Sequence, residues 1–239
     1  MSFIRKHLIK FIIAAICLFI AVTLIIHLAV ILPDIRKKKE LEAAVREYYA
    51  EKLLKYEQEN AVYGDYEVDV AFIGDSLTDG YNLERYYPQY VTANRGIGGE
   101  TTYGLKQRMQ VSVYDLKPKV VVMLIGGNNM DTMLDDYEDL IVGIKGNLPE
   151  SELVILSLTA MGGEHWGRKN QLAAYNNVTI KLLAEKHSCY FVDLFSPLYD
   201  VQTGEVYDGY TADGAHFTDV GYEAVTAQIT PVLREILGE

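Results

Sequence analysis

Val68-Asp69-Val70-Ala71-Phe72-Ile73-Gly74-Asp75-Ser76-Leu77-Thr78-Asp79-Gly80 is the stretch from which the fold reads. Its first six residues are mostly apolar and rich in β-branched side chains, the pattern of a short strand buried on both faces. Gly74 frees the backbone for a sharp turn. Asp75, Ser76 and Thr78 prefer turns and helix starts to strand interiors. Ser76 is therefore expected where a strand ends and a helix begins. In open α/β sheets that carboxyl edge is where ligands bind, and the N–H groups of a helix start suit an anion. Taken alone, the same residues also read as an ordinary capped turn.

Outward from this turn the pattern alternates. Residues 68–73, 90–94, 120–125, 153–158 and 190–194 read as strands. Between them, Leu134, Tyr137, Ile141 and Ile144 fit one apolar helix face, and Leu172, Tyr175, Val178 and Leu182 fit another. Tyr222, Val225, Ile229, Val232 and Ile236 give a third, with Pro231 expected to kink it. Strand–helix alternation predicts an α/β fold, a parallel sheet covered on both faces with right-handed crossovers.

The head of the chain is different. Residues 11–32 are apolar except for Thr23 and His27. At helical rise this run reaches roughly 33 Å, enough for a hydrocarbon core of roughly 30 Å. Pro33-Asp34-Ile35-Arg36 follows it, and no small-x-small cleavage site does. The expectation is an uncleaved transmembrane signal anchor. Basic residues lie on both sides of it, nearly balancing the positive-inside rule. An N-terminal anchor that delivers the rest across the membrane is the orientation expected. Beyond it, Leu41, Val45, Tyr48, Tyr49, Leu53 and Tyr56 give a charged helix one apolar stripe, either a free stalk or one docked on the domain. The expected layout is a basic tail over 1–10, the anchor over 11–32, a helical stalk or linker over 33–65 and a domain over 66–239.

Charge narrows the function. The chain carries 22 basic and 33 acidic side chains, and seven of the basic ones lie within residues 1–40. An acidic domain behind a basic head argues against nucleic acid as a partner. Cys17 and Cys189 are too differently placed to be expected to pair. The five histidines are scattered, without His-x-His or His-Glu-x-x-His spacing, so neither a metal nor a cofactor is expected.

Three further motifs fall at predicted strand ends or before the last helix. Asn94-Arg95-Gly96-Ile97-Gly98-Gly99-Glu100-Thr101 brings glycines that permit close approach to a ligand. Gly126-Gly127-Asn128-Asn129 brings a neutral amide donor. In Asp213-Gly214-Ala215-His216, a four-residue turn sets the carboxylate within reach of the imidazole. That imidazole is then oriented to take a proton from a serine. Each motif alone also reads as a loop.

The set, in this order, resembles the SGNH (GDSL-type) hydrolase family over about residues 66–238. The matching stretches are Gly74-Asp75-Ser76-Leu77, Gly99 within Gly-Gly-Glu-Thr, Gly127-Asn128 and Asp213-x-x-His216. The resemblance implies a flavodoxin-like three-layer α/β/α sandwich with strand order 2-1-3-4-5. It implies Ser76 as nucleophile, His216 as general base and Asp213 as its orienter. The Ser76 N–H, the Gly99 N–H and the Asn128 amide are the implied oxyanion hole. Asp75 and Asp79 are expected to cap and brace the turn, and Asn94 and Asn129 to tie loops together. The loop with His165 and Trp166 follows the fourth strand and is expected to border the pocket as a substrate-binding element. These expectations describe a membrane-anchored serine esterase acting on short acyl esters, such as an O-acetylated glycan. A lysophospholipase or thioesterase, and a catalytically idle domain binding glycan or protein, are the alternatives.

Overall fold

The computed structural model describes residues 2–238, divided into two compact units between Glu51 and Lys52. The first unit is helical. Ser2–Ile26 is an α-helix, His27–Ile31 a π-helical turn, and Leu32–Asn60 an α-helix that runs on into the second unit. The π turn lies just before Pro33, whose ring lacks an N–H and crowds the carbonyl four residues back, so the regular ladder has to widen there. Phe11, Leu18 and Phe19 are among its exposed apolar side chains. By length and composition this helix is sufficient to cross a membrane.

The second unit is a three-layer α/β/α sandwich. Its strands are β1 (Val70–Gly74), β2 (Thr92–Gly96), β3 (Val120–Leu124), β4 (Glu152–Leu156) and β5 (Tyr190–Val192), all parallel in the order β2-β1-β3-β4-β5. β1 and β3 are buried along their whole length, which explains their unbroken apolar character. One face of the sheet packs on Tyr137, Ile141 and Ile144 of the helix Leu134–Asn147 and on Ala173 and Ile180 of the helix Asn170–Lys186. The other packs on Tyr81, Leu83 and Tyr87 and on Tyr222, Val225, Ile229 and Leu233 of the helix Asp219–Leu237. That last helix is continuous through Pro231. A small antiparallel hairpin, β6 (Tyr199–Asp200) with β7 (Glu205–Val206), stands apart from the main sheet.

Register sets up the site. Gly74 of β1 lies level with Gly96 of β2 and Leu124 of β3. Ser76, Gly99 and Asn128 follow those positions by two, three and four residues, so three separate segments leave the sheet at one edge.

One expectation about a helix face fails. Tyr175, Val178 and Leu182 are exposed, while Ala173, Asn176, Ile180 and Ala184 face the sheet. The buried face is built of small residues and an asparagine whose Nδ2 donates to the Met130 carbonyl at 2.9 Å, so hydrophobicity alone selects the wrong stripe. In the long helix, Leu41 and Val45 are exposed and Tyr56 is buried, so the apolar stripe is covered only toward its C-terminal end. β2 also runs to Gly96, past the predicted end at residue 94, because Arg95 is a fully buried strand residue rather than a strand breaker.

Candidate active site

Gly74 ends β1 where a side chain has no room: a Cβ there would lie 2.1 Å from the Leu124 carbonyl oxygen and 2.4 Å from Thr78 Oγ1. The chain then turns into the short helix Ser76–Asp79, capped by Asp75, whose Oδ1 accepts the Leu77 N–H at 3.1 Å. Asp75 is nearly fully buried, and that burial pushes its carboxyl up to about 6 against the opposing pull of the Leu77 N–H.

His216 arrives from before the last helix. Its Nε2 lies 3.0 Å from Ser76 Oγ, and its Nδ1 lies 2.7 Å from Asp213 Oδ2. Asp213 Oδ1 also accepts the backbone N–H groups of Ala215, at 3.0 Å, and His216, at 2.8 Å. The His216 N–H and imidazole together hold the Asp213 carboxyl down to about 2. With Nδ1–H committed to the carboxylate, Nε2 is left with its lone pair toward the serine. Asp213 and His216 are each about half exposed, so solvent reaches the outer end of the chain of hydrogen bonds.

Gly99 lies in the turn after β2, closed by the Glu100 N–H on the Ile97 carbonyl at 3.2 Å. Its φ is +77°, and a Cβ would meet nothing within 4 Å. The requirement for glycine is therefore conformational rather than one of space. Asn128 Nδ2 donates to the Glu100 carbonyl at 2.9 Å, which fixes the amide beside that turn. Asn94 and Asn129 do tie loops together: Asn94 Nδ2 reaches the Thr78 and Tyr81 carbonyls at 2.7 and 3.1 Å, and Asn129 bonds Thr102 at both its N–H and its hydroxyl.

Ser76, His216 and Asn128 line a pocket whose walls are Leu77, Leu124, Met130, Leu158, Met161 and Trp166, with Asp75 at its inner side. Trp166 is where the loop reading expected it. His165 is exposed and rests edge-on against the Trp166 ring at 4.7 Å, outside the lining. The loop of Trp166 is sewn to the loop of His216: Gly162 N–H donates to the Gly214 carbonyl at 2.7 Å, and a Cβ on Gly214 would lie 2.1 Å from the Gly162 oxygen.

Sequence reasoning missed a buried arginine behind the site. Arg108 Nε pairs with Glu100 at 2.9 Å, Nη1 donates to the Arg95 carbonyl at 2.9 Å and to Ser112 Oγ at 2.8 Å, and Nη2 donates to the Gly74 carbonyl at 3.0 Å. It thus ties together the ends of β1 and β2 and the residue after Gly99. Its charge among polar residues gave no sign of burial; a glutamate in a glycine turn, eight residues before it, is the one available hint.

A parallel α/β sandwich with a hydrogen-bonded serine, histidine and aspartate at its carboxyl edge defines a class of hydrolases. More narrowly, the GDSL-like lipase/acylhydrolase family model matches residues 72–224, and the chain belongs to that family, which points to ester hydrolysis. Among characterised relatives, the platelet-activating factor acetylhydrolase IB subunit alpha2 of Rattus norvegicus is 27% identical over 196 residues, covering 73% of this chain and 80% of that protein. Among solved structures, a GDSL-like lipase of Bacteroides thetaiotaomicron superposes with TM-score 0.68 at 24% identity, over 77% of this chain and 97% of that one. An acetylxylan esterase of Geobacillus stearothermophilus gives 0.57 at 22%, over 71% and 95%. At these identities the two structures establish the common fold.

Proposed function

We propose that the chain is a membrane-anchored serine esterase that removes a short acyl group, acetyl in the first instance, from an ester presented outside the cytoplasm. The observation that carries the reading is the hydrogen-bonded line from Asp213 through His216 to Ser76. Ser76 Oγ attacks the ester carbonyl carbon while its proton passes to His216 Nε2. The negative charge forming on the carbonyl oxygen is taken by the N–H groups of Ser76 and Gly99 and by the Asn128 amide. Asp213, already ionised, stabilises the imidazolium. The tetrahedral intermediate collapses, the proton moves from Nε2 to the departing alkoxide, and water then repeats the sequence on acyl-Ser76.

The apolar walls around Ser76 suit an acyl group rather than a sugar or a charged head. The word acetylhydrolase in the relatives' name supports a two-carbon acyl group. The apolar N-terminal helix supports residence at a membrane, with residues 11–32 in the bilayer. An O-acetylated surface glycan is the substrate class that fits an anchored external enzyme. The test is a chain-length series of nitrophenyl esters and acetylated sugars, run with wild type and Ser76→Ala. Turnover confined to short chains and lost in the variant is expected. Preference for long acyl chains would replace this reading with a lipid-directed one.

A further inference from the structure

We propose that residues 52–60, the end of the N-terminal helix, form a positioning element for the catalytic edge, with Tyr56 at its centre; the proposal rests on the esterase reading. Lys52, Tyr56, Glu59 and Asn60 stand at i, i+4, i+7 and i+8, so they share one helical face. Lys52 pairs with Asp79, the last residue of the Ser76 helix. The buried Tyr56 donates Oη to the Gly96 carbonyl at 2.6 Å. Glu59 pairs with the guanidinium of Arg95, which also donates Nη2 to Asn60 Oδ1 at 3.1 Å. Asn60 Nδ2 donates to the Val111 carbonyl at 2.7 Å. Arg95 itself is fully buried and lies 4.7 Å over the Tyr56 ring.

These attachments fall on two of the segments that carry reacting groups. Asp79 comes three residues after Ser76, and Gly96 three before Gly99. The two segments are pressed together, because a Cβ on Gly96 would lie 2.1 Å from the Asp79 nitrogen. Gly96 therefore has no freedom to shift without moving the nucleophile turn. On their other side Arg108 holds the Gly74 and Arg95 carbonyls. Tyr56 thus fixes the point from which the Gly99 turn departs. A helix docked for stability alone would bury a mainly apolar face; this one aims donors and charges at the backbone and side chains beside the site. Small misplacement of preorganised donors is costly to the rate.

The experiment uses the full chain in detergent. Tyr56→Phe keeps the ring over Arg95 and removes only Oη. Two quantities are read: kcat and KM on nitrophenyl acetate, and amide hydrogen exchange over residues 97–101. We expect kcat to fall about five- to tenfold at a KM within twofold, and exchange over 97–101 to speed up about tenfold, with β3 and β4 as protected as in wild type. An unchanged kcat overturns the proposal, even where the melting temperature drops, because Tyr56 is then a purely structural contact. If Tyr56→Phe does not fold, Lys52→Met probes the same face through Asp79 with the same two readouts, and an unchanged kcat there overturns the proposal equally. A wild-type chain that turns over no ester refutes the esterase reading, and exchange over 97–101 in the variant then decides the positioning role by itself.

Discussion

His216 Nε2 stands 3.0 Å from Ser76 Oγ although 140 residues separate them in the chain. Nothing local brings them together; the meeting is made by a parallel sheet whose strand ends share one edge and by the last helix packing across it. If that contact is the proton path, Ser76→Ala removes the nucleophile while leaving the imidazole in place. Hydrolysis and fluorophosphonate labelling should both vanish, with the near-ultraviolet signal of the fold retained. Labelling of the variant at wild-type strength, read by gel fluorescence, would remove Ser76 from the mechanism.

Asn128 gives a graded test. Its amide is fixed by the Glu100 carbonyl and lines the pocket beside Ser76. Losing one oxyanion donor costs about 10²–10³ in kcat, so Asn128→Ala should fall in that range with KM little changed. A loss below threefold in a folded variant would assign the amide to loop bracing alone.

How far the chain disclosed this arrangement depends on which forces act locally. The Gly74-Asp75-Ser76 turn and the Asp213-to-His216 turn were legible because each is a short stretch whose residue types dictate its backbone. The strand order followed from the family resemblance, and the exit of the Ser76, Gly99 and Asn128 segments at one sheet edge from the alternating pattern; of the three, Ser76 and Asn128 line the pocket. The buried Arg108–Glu100 pair was not legible, since a charged residue is read as exposed until its partners are known. Arg95 was missed for the same reason, and with it the last turn of β2. The helix Asn170–Lys186 misled in the opposite direction, because Tyr175, Val178 and Leu182 are apolar yet exposed, and Asn176 is polar yet buried by a hydrogen bond.

Arg108 should matter to stability far more than a surface arginine. Its ion pair with Glu100 is almost wholly buried, and Arg108→Met leaves the glutamate charge uncompensated. Breaking a buried pair in this way costs about 3–5 kcal/mol. Arg85, paired with Asp219 at 2.7 Å on an exposed surface, is the contrast: Arg85→Ala should leave stability close to that of wild type. Urea unfolding of both variants decides it; equal losses would mean that the buried network holds nothing the surface pair does not.

Asp213 should act through orientation rather than through its own protonation near neutral pH. Its folded carboxyl titrates near 2, below its ordinary 3.8. Its stabilising contribution is therefore present above about pH 4 and lost as pH falls toward 2. In a rate profile run from pH 5 to 9 no limb belongs to it. Asp213→Asn offers an N–H where Nδ1 needs an acceptor, which favours the wrong tautomer, and kcat should drop about 10⁴-fold. A variant with more than a tenth of wild-type kcat would show that the histidine is oriented by something else.

Asp75 carries the opposite sign. The folded chain holds its carboxyl proton up to about pH 6, because burial disfavours the charge, while the unfolded chain releases it near 3.8. Between these values the folded state binds more protons, so stability must fall as pH rises through that window and level off above it. The group is almost fully buried, so the fall is of order 3 kcal/mol at most. His216 and Glu100 are the ionisable side chains that bear on Asp75, the first easing its ionisation and the second opposing it. Asp75→Asn keeps the cap on the Leu77 N–H, since asparagine caps as well as aspartate, and abolishes the titration. The difference in unfolding free energy, variant minus wild type, should therefore grow in the variant's favour from pH 4 to pH 6 and stay constant above. Trp166, the single tryptophan, reports the transition from within the pocket wall. Parallel stability curves for the two chains across pH 4 to 7 would mean that Asp75 is ionised in the folded protein throughout that range, and that its burial beside Ser76 is offset by contacts other than the Leu77 cap.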